Sequence, residues 1–155
     1  MTALQGVRVA LEVAEQRRDV AGRALAHAVH ACQAAREQLA QLEHYAGETR
    51  DRWALGARGW ATPELVRHYQ SFMDRLQQAV DLQRAAVEQH EATRADAQAR
   101  LLQMEIRIAS LHKLLERRGT EQREQAAVMA QKHADEFALM QHRRVHAGHD
   151  PLDPP

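Results

Sequence analysis

"LGARGWATPEL", residues 55–65, decides how this chain folds. Gly56 and Gly59 free the backbone for a reversal. Thr62 then offers a hydroxyl to cap a helix, Pro63 suits the first helical position, and Glu64 suits the positive end of a helix dipole. The stretch therefore predicts one helix ending near residue 54 and a second beginning at 62. Trp53 and Trp60 flank the turn, either as a plug closing a hairpin end or as a binding feature.

Outward on the N-terminal side, positions 4, 7, 11, 14, 18, 21, 25, 28, 32, 35, 39, 42, 46, 49 and 53 alternate steps of three and four. Only Arg18 and Thr49 break their apolar series. Such a repeat, held over seven heptads, is a coiled-coil pattern. On the C-terminal side the seam runs Val66, Tyr69, Met73, Leu76, Val80, Gln83, Val87, His90, Arg94, Ala97, Leu101, Met104, Ile108, Leu111, Leu115. Beyond Leu115 it decays into "ERRGTEQREQ", where Gly119 is a candidate kink or fray point. With the turn centred near residue 57, an antiparallel hairpin sets Leu4 opposite roughly residue 110. The second seam thus stops about where the first helix runs out, which favours a folded-back hairpin over a parallel dimer.

The expected fold is all-α: a long two-helix antiparallel coiled-coil hairpin, with helices near 3–54 and 62–143 and an overhanging C-terminal helix. Residues 1–147 form one hairpin domain in this reading. The tail at 148–155, with three prolines, is expected to be disordered.

Composition agrees with a narrow seam. Hydrophobic residues are 45% of the chain but aromatics only 4%, and alanine dominates the apolar fraction. Alanine forms helix well and fills a core poorly. Lys+Arg and Asp+Glu are both 21, which argues against binding nucleic acid or anionic lipid through bulk charge. Cys32 is alone, so no internal disulfide forms. No signal-peptide run and no apolar stretch of membrane-spanning length occurs, so a cytoplasmic chain without membrane insertion is expected.

Catalytic signatures are absent: no phosphate-cradling glycine loop, no GxSxG, no HExxH, no paired cysteines. An enzyme is not expected, nor a cofactor. His27 with His30, and His142 with His146, have spacings that reach one ion on a helix face. Solvated helix histidines are the simpler reading, since no nearby carboxylate or cysteine completes a ligand set. Phe72 flanks the seam at a g position, in line with Leu65, Ala79 and Ala86 and beside Leu76. Either the first helix covers this strip or it awaits a partner. Val128, Met129, Phe137, Leu139 and Met140 on the unpaired overhang pose the same choice between a partner and a disordered or self-folded tail.

Several words carry a family resemblance. "CQAAREQLAQLEHY" at 32–45, "YQSFMDRLQQAV" at 69–80 and "DEFA" at 135–138 resemble stretches of FliJ, a small component of the flagellar type III export apparatus. The long helix, glycine-containing tip and longer second helix resemble it nearly end to end. The resemblance implies a non-enzymatic stalk linking a hexameric export ATPase, FliI, to the export gate protein FlhA. It implies gate binding by Phe72, Leu76 and Ala79, with Gln83 where the family has a histidine, and by Gln38, Leu42 and Tyr45 on helix one. It implies that the ATPase ring meets the open end, hence Leu4, Val7, Val128, Met129, Phe137, Leu139 and Met140. The ATPase regulator FliH and export chaperones are further implied partners, and the site of action is the cytoplasmic side of the inner membrane. The equivalent stalk of a virulence injectisome, or a self-associating scaffold, are the competing readings.

Overall fold

The computed structural model describes residues 2–148, apart from the side chains of Ala57, Arg58 and Trp60. It is all-α: α1 spans Ala3–Trp60 and α2 spans Pro63–Ala147. The two helices pack against each other as a hairpin, with no strand among the described residues. Of the tail expected to be disordered at 148–155, Gly148 is described and its N–H donates to the Arg144 carbonyl at 3.0 Å; the rest, and the Trp60 side chain as part of a plug, lie outside the described residues.

Two caps fix the helix starts. Thr62 accepts from the Leu65 backbone N–H at 3.2 Å, and Pro63 opens α2 as its sequence position suggests. At the other start, the Gln5 N–H donates to Thr2 Oγ1 at 3.3 Å and the Thr2 N–H donates to Gln5 Oε1 at 3.2 Å. This is a reciprocal capping box, written in the sequence as Thr-x-x-Gln.

The turn differs from the expectation. Gly56 and Gly59 do not make it: both lie inside α1, and no described glycine has a positive φ. The connection is Ala61 and Thr62 alone. The physical reason is that Ala54, Leu55, Ala57 and Arg58 are good helix formers, which outweigh two glycines. The stop is imposed by Pro63, which disfavours helical backbone at the residue before it. The hairpin centre accordingly moves from 57 to about 61.

The described chain groups into two compact units. In residues 14–107, Ala14, Ala28, Cys32, Ala35 and Ala46 are buried on α1, and Leu76, Val80 and Val87 on α2. One helix supplies small side chains and the other larger ones, so the bulk of α2 fills space that the alanines leave open. In this unit Tyr45 meets Phe72, Trp53 meets Tyr69 and Arg84 meets Glu43. These partners' numbers average close to 61, the position of the turn. In the other unit, residues 1–13 with 108–155, Val7 and Ile108 are buried. Cover on α2 ends at Gly119, through which the helix runs unbroken, and every residue at 120–148 is exposed.

All fifteen seam positions read from the sequence on each helix are buried or half-buried. Two of the polar breaks in the seam are accommodated by hydrogen bonds to backbone carbonyls. Thr49 donates its hydroxyl to the Tyr45 carbonyl at 2.8 Å, and Gln83 donates across to α1. No polar or charged side chain among the described residues is fully buried.

Candidate functional site

An antiparallel pair brings e positions against e, and g positions against g, along its two edges. In residues 14–107 those edges have opposite character. On the e edge, Arg36 Nε donates to Glu91 at 3.2 Å, and Arg84 donates through Nη2 to Glu43 at 3.1 Å. The hydrogen bonds that Arg36 donates to Glu91 hold the pKa of its guanidinium above the ordinary value. On the g edge, positions 24, 31, 38 and 45 of α1 are Ala, Ala, Gln and Tyr. Positions 65, 72, 79, 86 and 93 of α2 are Leu, Phe, Ala, Ala and Thr. None carries a charge, and Arg17, Arg52 and Arg100 mark where the uncharged run ends.

Phe72 is the centre of this edge. Its ring stands 6.2 Å from Tyr45, edge to face at 85°, and 37% of the residue is exposed. Phe72 is therefore partly covered, and the ring it meets on the first helix belongs to a tyrosine that is itself half exposed. Edge-to-face geometry sets the positive rim of one ring against the negative face of the other. It holds both rings at the surface without closing them into the seam. Nearer the turn, Trp53 and Tyr69 stack at 4.3 Å with their planes 4° apart, which gives Trp53 a packing role at that end of the hairpin.

The other residues implicated by resemblance divide by depth. Leu76 is buried in the seam, and Leu42 and Ala79 are half-buried. Gln38 is exposed. Gln83 is half-buried, and its Nε2 donates to the Ala35 carbonyl at 2.9 Å and to Gln38 Oε1 at 3.2 Å. These seven residues all lie within 14–107, on or directly behind the g edge. Sequence reasoning missed two features: the Gln83–Gln38 link, and the ion-paired e edge. The second was readable, since Arg36, Glu43, Arg84 and Glu91 all hold e positions.

The open-end residues separate as well. Val7 is buried and Leu4 half-buried, so they present little surface. Val128, Met129, Phe137, Leu139 and Met140 are each more than half exposed. At 100° per residue, Met129, Phe137 and Met140 fall within about 80° of one another around α2. An open concavity of about 480 Å³ runs along Glu121, Glu124, Gln125, Val128 and Met129, all from α2.

Among the described residues no group of three or more His, Cys, Asp or Glu is placed to hold a metal ion. Likewise no described helix is long and apolar enough to cross a membrane. Comparison with curated proteins and with solved structures gives no match. A family model described as "Flagellar FliJ protein" matches residues 8–146, taking in both helices and all but the first turns of α1. The chain belongs to the FliJ family of coiled-coil proteins associated with flagellar export.

Proposed function

We propose that this chain is a non-enzymatic stalk of the flagellar export apparatus that engages the export gate protein FlhA through its g edge. The observation that carries the reading is the uncharged edge around Phe72, opposite an edge closed by Arg–Glu pairs. A partly exposed aromatic pair on an uncharged strip is the kind of anchor that protein interfaces use. In this reading Phe72 and Tyr45 make the direct contact, with Gln38 and Ala79 at its margin. Leu76, Leu42 and Gln83 shape the strip from behind.

The exposed overhang is the proposed contact for the FliI hexamer. Apolar side chains on a helix without a second helix over them suit a partner, and Val128, Met129, Phe137, Leu139 and Met140 supply them. Leu4 and Val7 act in this reading mainly by pairing α1 with α2. FliH and export chaperones would be reached at the same apparatus, on the cytoplasmic side of the inner membrane. The family match favours this role over an injectisome stalk. A self-associating scaffold would show as a dimer in solution mass, whereas the stalk is expected to be mainly a monomer.

Phe72→Ala tests the gate face. A core phenylalanine truncated to alanine costs about 3–5 kcal/mol of stability; a truncated interface anchor costs about 2 kcal/mol or more of binding. The expected outcome is a nearly unchanged thermal unfolding curve with weakened binding to the soluble part of FlhA, read by calorimetry. Unfolding without a separable binding loss would make Phe72 a core residue and end the proposal.

A further inference from the structure

The last turns of α2 hold a feature that the export reading does not use. His142 and His146 are four residues apart, so they share one face of the helix. Their rings stand in contact, with centroids 4.1 Å apart and planes tilted by 44°. His146 Nδ1 lies 3.1 Å from the His142 carbonyl oxygen. A carbonyl can only accept, so that nitrogen carries the proton. The Nε2 lone pair of His146 is thereby left free and the ring is held in orientation. A metal-ligating histidine is commonly oriented this way, by donating its other ring N–H to a backbone carbonyl.

We propose that His142 and His146 form a two-point chelate for a first-row divalent transition-metal ion. Two metal–nitrogen bonds of about 2.0–2.1 Å span up to about 4 Å, a reach open to imidazoles that lie side by side one helical turn apart. Both side chains belong to the exposed part of α2, so an ion has access and keeps water in its remaining positions. Imidazole nitrogen suits copper, nickel and zinc, and does not suit magnesium or calcium. Arg143 and Arg144 follow His142 by one and two residues, which turns them away from the shared face. A bound ion would staple one turn of an uncovered helix. The proposal stands apart from the gate and ATPase assignments and survives if either fails.

The test is calorimetric titration of the full-length chain with Cu2+, Zn2+ and Mg2+ as separate salts. Tightest binding for Cu2+, weaker for Zn2+ and none for Mg2+ is expected from the usual affinity order. His142→Ala and His146→Ala should each weaken Cu2+ binding at the tightest site by about tenfold or more, because a linked second ligand is lost. Paramagnetic Cu2+ should broaden the imidazole signals of these two residues first. His27→Ala with His30→Ala, a pair on α1 three residues apart, should leave the tightest site unchanged. A loss smaller than about tenfold in either single variant, or first broadening elsewhere, overturns the chelate.

Discussion

Gln83 sits at a seam position where a leucine would pack better, and its amide explains how the site accepts a polar group. The half-buried nitrogen donates to the Ala35 carbonyl and to Gln38, so the amide crosses the seam satisfied. Through Gln38 it also sets the position of a side chain on the g edge. Gln83→Leu exchanges these bonds for apolar cover. It is expected to leave the melting temperature unchanged or raised, and to weaken gate binding only as far as Gln38 drifts. Leu76→Ala behaves otherwise. Leu76 is buried at the seam directly behind the strip, so a loss of about 2–5 kcal/mol of stability is expected, with a parallel loss of gate binding. Denaturant unfolding and calorimetry on the same two variants separate the two effects. If Gln83→Leu unfolded the chain as readily as Leu76→Ala, the amide would be holding the fold rather than the surface.

At the level of the helices, the turn gives an unusually direct test. Gly59 lies in α1 with helical backbone, and a Cβ there would meet nothing within 4 Å. Gly59→Ala is therefore expected to stabilise the hairpin by up to about 1 kcal/mol, visible as a higher melting temperature. A turn glycine would give the opposite sign. The same site shows why sequence reading erred here. Glycine marks freedom, not a stop, and only the Thr62–Pro63 pair dictates a stop. The seams were readable in full because a heptad is a property of one helix's own numbering. Every seam position from Leu4 to Trp53, and from Val66 to Leu115, is buried or half-buried as that count requires. Phe72 was placed correctly beside its seam for the same reason. The partners were not readable in detail. Whether Gln83 reaches Gln38, or Arg84 reaches Glu43, depends on a register between helices that shifts by several residues when the turn moves from 57 to 61.

For the chain taken whole, the boundary at Gly119 divides what the hairpin supports from what it does not. Truncation after Gly119 removes no covered residue, so the remaining helices should melt as before while the proposed binding to the FliI hexamer disappears. Circular dichroism and a binding assay with FliI check the two halves of that statement, and surviving binding would remove the overhang from the ring contact. The uncovered stretch has a further consequence, in time. Residues 120–147 draw their helicity from local hydrogen bonds alone, and an unsupported helix of that length opens and recloses in about 0.1–1 μs. Amide protons there should exchange with solvent far sooner than those of the seam. A partner arriving by diffusion then meets a segment that samples helix and coil many times during one encounter. Its capture rate becomes a matter of how often the helix is present, which substitutions at exposed positions can tune without touching a single contact.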